Sequence, residues 1–223
     1  FYAQYGMLNF PGGNSGAQMG GWFRKEIKTI ADLKGLKFRC GSFAGKVLER
    51  FGVVPQSIPG GEIYSALEKG TIDAAEWIGP YDDQKLGFNK VAPNYYYPGW
   101  WEGGPQLDFF INQKAWDALS AENKAIVEAA AALAHSEVQA RYDARNPVAL
   151  KELVARGTKL RPFSNEIIQA AFKESMAIYD ELNAKNPDWK KIYADYSKFR
   201  ADANLWFRFT EAKFDSFMQS QKL

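Results

Sequence analysis

The 223-residue chain has one cysteine, one histidine and little net charge. A single cysteine excludes an intramolecular disulfide, and Cys40 with His135 is too small a set for a transition-metal site of several imidazole or thiolate ligands. A net charge of +2 predicts no nucleic-acid partner and no polybasic membrane patch. No apolar run reaches the roughly 18 residues that a membrane-spanning helix requires. Any bound metal should therefore be a hard cation held by oxygen atoms.

Apolar residues are abundant, at 46% of the chain, and aromatic residues alone make up 15%. This composition is sufficient for one core or for two lobes. Most of the seven tryptophans and eleven tyrosines are expected to fill that core. The run Tyr95–Tyr97 is accordingly interpreted as core or hinge packing rather than as ligand contacts.

Short strands and helices alternate in the first third of the chain, after a Gly-rich segment at 12–16 that predicts a loop. The predicted order is strand 36–40, helix 45–51, strand 57–58, helix 63–69 and strand 71–77. Connections of this length are typical of right-handed parallel crossovers, so we expect a parallel β-α-β-α-β unit.

The rest of the chain is predicted to be mainly helical. A helix at 81–86 and a strand at 106–111 precede a short helix that Asn112 could cap. Ser120 and Ser164 are expected to cap two long helices, and Pro147 to interrupt the first of them or to begin a new helix. The final helical stretch begins at Pro187 and should continue almost to residue 223.

Two predicted strands end in charged residues beside loops. Arg39 ends one of them, and Glu76 precedes Trp77 at the end of another. Ligands of open α/β sheets bind outside the carboxyl ends of the strands. The pattern therefore indicates a pocket for a small anion, in which Arg39 binds the anion, Glu76 binds a cation or a hydroxyl, and the indole forms a wall.

Four segments together resemble one protein family, in both order and spacing: residues 20–23 (GGWF), 33–39 (LKGLKFR), 59–64 (PGGEIY) and 70–80 (GTIDAAEWIGP). The family is the extracytoplasmic solute-binding subunit of TRAP transporters (DctP-type). The most similar branch binds 2-oxo acids or lactate together with a metal ion. The resemblance extends over essentially the whole chain.

The resemblance implies an α/β, two-lobe periplasmic-binding-protein-like fold (type II) with long C-terminal helices. About a hundred N-terminal residues of the family pattern are expected to be missing, which would leave the first lobe incomplete. Residues 1–77 and 105–163 are expected to form mainly the second lobe, and residues 78–104 the hinge and crossover. Residues 164–223 would form long helices that span the lobes and contribute to a dimer interface.

The resemblance also implies the roles of five residues. Arg39 would bind the substrate carboxylate with its guanidinium group. Gln18 would contact both substrate and metal, and Glu76 together with the backbone carbonyl of Trp77 would bind the metal. The ring of Trp77 would form a pocket wall, and Glu102 would be a further ligand. The implied metal is sodium or calcium, and no catalytic cofactor is expected.

Partners and location follow from the same resemblance. The chain would reside in the periplasm, bind a small carboxylate and deliver it to the membrane permease subunits. A homodimer is expected through the aromatic-rich C-terminal helices. Two alternatives remain open: a metal-dependent enzyme acting on 2-oxo acids, with Glu76 as a base, and a ligand-sensing domain with the same site.

Overall fold

A computed structural model of the chain describes residues 1–221. The chain forms two compact units, Phe1–Ala171 and Phe172–Leu223. The predicted division into lobes at residues 77, 104 and 163 stays a prediction. The predicted end of the last helix, almost at residue 223, adjoins residues 222 and 223, which lie outside the described residues.

The strands are mostly short. They are β1 (Met7–Asn14), β2 (Gly21–Phe23), β3 (Lys37–Arg39), β4 (Val54–Gln56), β5 (Ala74–Ala75), β6 (Asn94–Tyr97), β7 (Gln106–Asn112) and β8 (Lys159–Pro162). The α-helices are α1 (Ser42–Glu49), α2 (Gly60–Lys69), α3 (Pro80–Leu86), α4 (Gln113–Asp117), α5 (Ala121–Ala155), α6 (Asn165–Lys185), α7 (Pro187–Phe209) and α8 (Glu211–Ser220).

A six-stranded sheet organises the first unit, with the order β4-β3-β5-β2-β6-β8. Strand β3 pairs in parallel with β4 and with β5, so the predicted parallel β-α-β-α-β unit is confirmed. Strand β2 pairs antiparallel with β5 and β6, which makes the sheet mixed. The predicted strand 57–58 is wrong, because pairing with β3 fixes the strand at Val54–Gln56. The predicted strand 71–77 is likewise reduced to Ala74–Ala75.

Neighbouring aromatic residues fill both faces of this sheet. Trp22 and Tyr95 are fully buried in one core cluster, whereas Phe23 and Tyr96 are buried in the other. Successive strand residues point to opposite faces, so β2 and β6 each contribute an aromatic side chain to either side. The interpretation as core residues is confirmed for Tyr95 and Tyr96, whereas Tyr97 is 40% exposed.

Strands β1 and β7 form a separate two-stranded antiparallel sheet. The predicted loop at 12–16 is wrong in its first part, because β1 continues to Asn14. Glycine is used there for close packing. A Cβ atom on Gly12 would lie 2.6 Å from the ring of Phe109, and one on Gly13 would lie 3.1 Å from Val138.

Helix α5 runs without interruption through Pro147, so the predicted break is wrong. Side chains in the turn before the proline hold this helix against α3. Asn146 Oδ1 accepts from the Tyr81 N–H at 3.1 Å, and the Tyr142 hydroxyl donates to Asp82 at 2.6 Å. Such tertiary contacts offset the missing proline N–H. The predicted caps are confirmed, since Ser120 accepts from Asn123 N and Ser164 from Ile167 N.

The second unit is helical and rich in exposed aromatic residues. Tyr179, Trp189 and Tyr193 pack against one another with ring centroids 5.0–6.0 Å apart. The final helical stretch is divided at Thr210 into α7 and α8. Within the described residues, no helix combines the length and the apolar character needed to cross a membrane.

Candidate functional site

Arg39 lies at the carboxyl end of β3, and the protein fixes the plane of its guanidinium group. Its Nη1 atom donates to the Glu76 backbone carbonyl at 2.8 Å and to Glu76 Oε1 at 2.5 Å. Its Nε atom donates to the Ile58 carbonyl at 3.2 Å. Parallel pairing places β3 beside β5. Arg39 and Glu76, both predicted as site residues, therefore lie next to each other at the carboxyl ends of these strands.

Glu76 is almost entirely buried, and its environment opposes ionisation. Burial raises the pKa of Glu76 to about 7, Arg39 lowers it, and the negative charge of Glu102 raises it further. Burial also raises the pKa of Glu102. The negative charge of Glu102 that raises the pKa of Glu76 would also attract a cation to this place.

Backbone hydrogen bonds tie the loop that carries Gln18 to two neighbouring loops. The Gln18 N–H donates to the Glu102 carbonyl at 3.1 Å, and the Gly99 N–H donates to the Gln18 carbonyl at 2.8 Å. On the other side, the Met19 N–H donates to the Ile78 carbonyl at 3.2 Å. Residues that lie more than 80 positions apart in the chain are thereby brought to one place.

The side-chain amide of Gln18 lies at the centre of this cluster and is buried. One end of the amide is 2.9 Å from Glu102 Oε2 and 3.0 Å from the Trp77 carbonyl oxygen, and the other end is 3.1 Å from Ser15 Oγ. With its nitrogen toward Glu102, the amide donates two hydrogen bonds. With its oxygen there, three oxygen atoms converge, and a hard cation between them would replace the two hydrogen bonds.

The Trp77 side chain covers one side of Arg39. The Arg39 Cζ atom lies 5.0 Å from the centroid of the indole, within the range of a cation–π contact. The indole rests on the start of α2, where a Cβ atom on Gly60 would lie only 2.5 Å from Trp77 Cη2. The Trp77 ring thus lies beside Arg39, and its role as a pocket wall stays a prediction.

A cavity of about 470 Å³ opens beside Arg39, between the strand ends and α1. Its lining includes Cys40, Lys46, Gln56 and Ile58. Burial raises the pKa of the Cys40 thiol to about 12, so this cysteine lines the cavity as an unreactive group. A volume of this size is sufficient for a small organic acid, but Arg39 is the one candidate site residue in its lining, and Gln18, Glu76, Trp77 and Glu102 lie outside it.

The donors at this edge suit a hard cation. An amide, a backbone carbonyl and a carboxylate are the ligands that sodium and calcium prefer. Within residues 1–221, no group of three or more His, Cys, Asp and Glu side chains could hold a metal ion, so a site here must use neutral oxygen donors. The structure brings together Gln18, Trp77 and Glu102, and it pairs the fourth predicted ligand, Glu76, with Arg39.

Sequence reasoning missed three groups that shape this site. They are the Ser15 hydroxyl on the Gln18 amide, the Ile58 carbonyl on Arg39, and the buried Asp83 carboxylate behind Ile78. Asp83 occupies the first turn of a helix, where acidic residues are common, so its type gave no signal. Only its burial distinguishes it, and burial depends on the tertiary fold.

Comparison with known proteins identifies relatives over the whole chain. The family model described as "Bacterial extracellular solute-binding protein, family 7" matches residues 2–186. A monocarboxylate 2-oxoacid-binding periplasmic protein from Nostoc sp. strain PCC 7120 is 50% identical over 221 residues. That alignment covers 99% of this chain and 61% of the relative.

Solved structures of TRAP transporter solute-binding proteins share the fold. The protein from Bordetella bronchiseptica RB50, a mixed-occupancy dimer with calcium and picolinate, is 52% identical with a TM-score of 0.95. The match covers 98% of this chain and 65% of the Bordetella chain. The protein from Pseudoalteromonas atlantica T6c, with sodium and pyruvate, is 41% identical with a TM-score of 0.92. This match covers 99% of this chain and 67% of the Pseudoalteromonas chain. The chain thus spans about two thirds of the length of its relatives.

Proposed function

Since the chain belongs to the bacterial extracellular solute-binding proteins of family 7, we propose that it captures a small monocarboxylate for a TRAP transporter. The proposed ligand is a 2-oxo acid such as pyruvate, or lactate, bound together with a sodium or calcium ion. One observation carries this proposal: the oxygen atoms around the Gln18 amide converge next to the Arg39–Glu76 pair. The bound ligands of the similar structures support it.

The residues have distinct roles in the proposed complex. Arg39 binds the acid's carboxylate through Nη2, while its Nε and Nη1 atoms are held by Ile58 and Glu76. Gln18, Glu102 and the Trp77 carbonyl bind the cation, and Glu76 holds Arg39 in place and adds negative charge. A bound sodium or calcium ion would supply the positive charge that attracts the oxo or hydroxyl oxygen and the carboxylate of the acid.

The proposal places the protein in the periplasm, where it would deliver its ligand to a membrane permease. The periplasmic relative from Nostoc supports this location. The proposal also includes a homodimer that forms through the second unit. On its helices, Phe199, Trp206 and Phe209 are each 63–71% exposed to solvent. The dimer in the Bordetella structure supports this assembly.

Calorimetric titration of the chain tests the ligand assignment. Pyruvate, longer 2-oxo acids and lactate would be titrated with and without sodium or calcium, into the wild type, Arg39→Ala and the control Arg141→Ala. Arg141 forms an exposed ion pair with Glu137 on α5, so its removal should not affect binding. We expect micromolar or tighter binding that requires both Arg39 and a cation.

Other outcomes separate the alternatives. Binding that requires Arg39 but no cation would remove the metal from the proposal. Absence of binding to all of these acids would overturn the ligand assignment. Conversion of pyruvate to a product, followed by NMR, would replace the binding role with that of a metal-dependent enzyme.

A further inference from the structure

Asp83 is a fully buried carboxylate that lies behind the proposed cation ligands. Its Oδ2 atom accepts from Trp22 Nε1 at 2.8 Å and from the Tyr95 hydroxyl at 2.7 Å. Its Oδ1 atom accepts from the backbone N–H of Ile78 at 3.1 Å. A buried carboxylate is costly unless it is satisfied, and here all of these donors point at one side chain.

The Ile78 N–H belongs to the same peptide group as the Trp77 carbonyl. This peptide bond is trans, so its N–H and its carbonyl point in opposite directions. Asp83 therefore holds one end of the peptide, while the carbonyl at the other end lies 3.0 Å from the Gln18 amide. The next carbonyl, that of Ile78, accepts from Met19 N and so anchors the loop that carries Gln18.

We infer that Asp83 is a positioning residue for the cation. It fixes the orientation of the Trp77–Ile78 peptide, and its negative charge at the N–H pushes that peptide's electrons toward the carbonyl oxygen. A hydrogen bond to an ionised acceptor polarises the whole peptide, which makes its oxygen a stronger ligand. Residues that hold metal ligands in this way commonly alter metal affinity when they are changed. The inference rests on the proposed function, because it assumes that the Trp77 carbonyl binds a cation.

A purely structural role for Asp83 makes a different prediction. Asp83 also joins β2 to β6 beneath the stacked rings of Trp22 and Tyr95, whose centroids are 3.8 Å apart. If this were its only role, its loss would lower the free energy of unfolding but leave the calcium affinity of the folded protein unchanged. Stability and cation affinity therefore have to be measured separately.

The variants Asp83→Asn and Tyr95→Phe separate the two roles. An asparagine at position 83 cannot accept from all three donors, because one end of its amide is itself a donor. Tyr95→Phe removes a hydrogen bond to Oδ2 and leaves the Ile78 contact to Oδ1 intact. Both variants should unfold at lower urea concentration. Only Asp83→Asn should weaken calcium binding, roughly 10–100-fold.

Calcium affinity would be measured by calorimetry on the folded chain and by competition with terbium, whose luminescence nearby tryptophans sensitise. A calcium affinity of folded Asp83→Asn within twofold of wild type would overturn the inference while leaving the proposed function intact. A wild type that binds neither sodium nor calcium, with or without pyruvate, would overturn the inference and remove the metal from the proposed function. The two failures are thereby distinguished.

A measurement on the wild type keeps the inference testable if Asp83→Asn does not fold. A cation on the Trp77 oxygen and a carboxylate on the Ile78 N–H polarise one peptide in the same direction. Addition of calcium should therefore move the amide proton resonance of Ile78 downfield. Calcium binding without any change in that resonance would contradict the inference.

Discussion

At the scale of single residues, the site depends on a buried ion pair whose members are joined by backbone as well as side chain. Arg39 and Glu76 retain only 19% and 8% of their side-chain exposure, and their closest atoms are 2.5 Å apart. In such surroundings, the pair gives little net stability relative to apolar residues, but a single unpaired charge is strongly unfavourable. The pair is therefore better explained by ligand binding than by folding.

Removal of both partners should cost less than the two single removals added together. We expect Arg39→Met and Glu76→Gln each to lower the free energy of unfolding by about 3 kcal/mol. The double variant should lose clearly less than the sum, because no charge is left unpaired. Urea unfolding of the four proteins measures this coupling. Additive losses would show that the two side chains act independently.

Asp83 should make stability depend on pH. Burial raises the pKa of Asp83 from 3.8 to about 6, so the folded state binds its proton more tightly than the unfolded state. This contribution is fully present below pH 3.8 and is lost as the pH rises through about 6. At roughly 1.4 kcal/mol per pKa unit, the loss is about 3 kcal/mol.

The pH effect can be assigned to Asp83 by comparison with Asp83→Asn. Urea unfolding without calcium would be measured from pH 4 to pH 8 for both proteins. The difference in unfolding free energy between wild type and variant should decrease with rising pH. A constant difference across this range would contradict the assignment, because other buried carboxyl groups affect both proteins equally.

At the scale of elements, the start of α2 positions the wall of the site. Gly60 leaves room for the Trp77 indole, whereas nothing lies within 4 Å of a Cβ atom built on Gly61. Gly60→Ala should displace the ring, lower pyruvate affinity at least tenfold and shift tryptophan fluorescence. Gly61→Ala is the matched control and should retain affinity, since it adds a methyl group in open space. Equal effects of the two variants would contradict this role.

Some elements could be predicted because their signals are local. The caps at Asn112, Ser120 and Ser164 depend on neighbouring backbone N–H groups, and the sequence contains everything that such caps need. Glycine and proline were less reliable as signals of a loop or of a helix break. Gly12 lies inside a strand and Pro147 inside a helix, because packing against other elements outweighs their local preferences.

The candidate site shows the same division between local and tertiary information. Arg39 and Glu76 could be selected because charges at strand ends are visible in the sequence. Their convergence follows from the parallel pairing of β3 with β5. The sequence predicted a parallel unit but not which of its strands are neighbours. The hydrogen bond from the Ile78 N–H to Asp83, which holds the peptide that follows Trp77, could not be predicted. It depends on how α3 packs against the ends of the strands.

At the scale of the whole molecule, the second unit exposes far more apolar surface than a solvated helix pair normally shows. Phe199, Trp206, Phe209, Phe214 and Phe217 are each 62–71% exposed on α7 and α8. Exposed aromatic residues in such numbers mark a protein interface. A second copy of the chain is the proposed partner, because the similar structure from Bordetella is a dimer.

Charge introduced on these helices should therefore separate the copies. We expect Phe199→Glu combined with Trp206→Glu to weaken dimerisation at least tenfold, because burial of unpaired carboxylates opposes association. Ile126→Glu is the control, since Ile126 is 63% exposed on α5 in the first unit. Sedimentation velocity over a range of concentrations measures the effect. A dimer that persists unchanged in the double variant would show that the interface lies elsewhere. The aromatic helices would then bind a different partner.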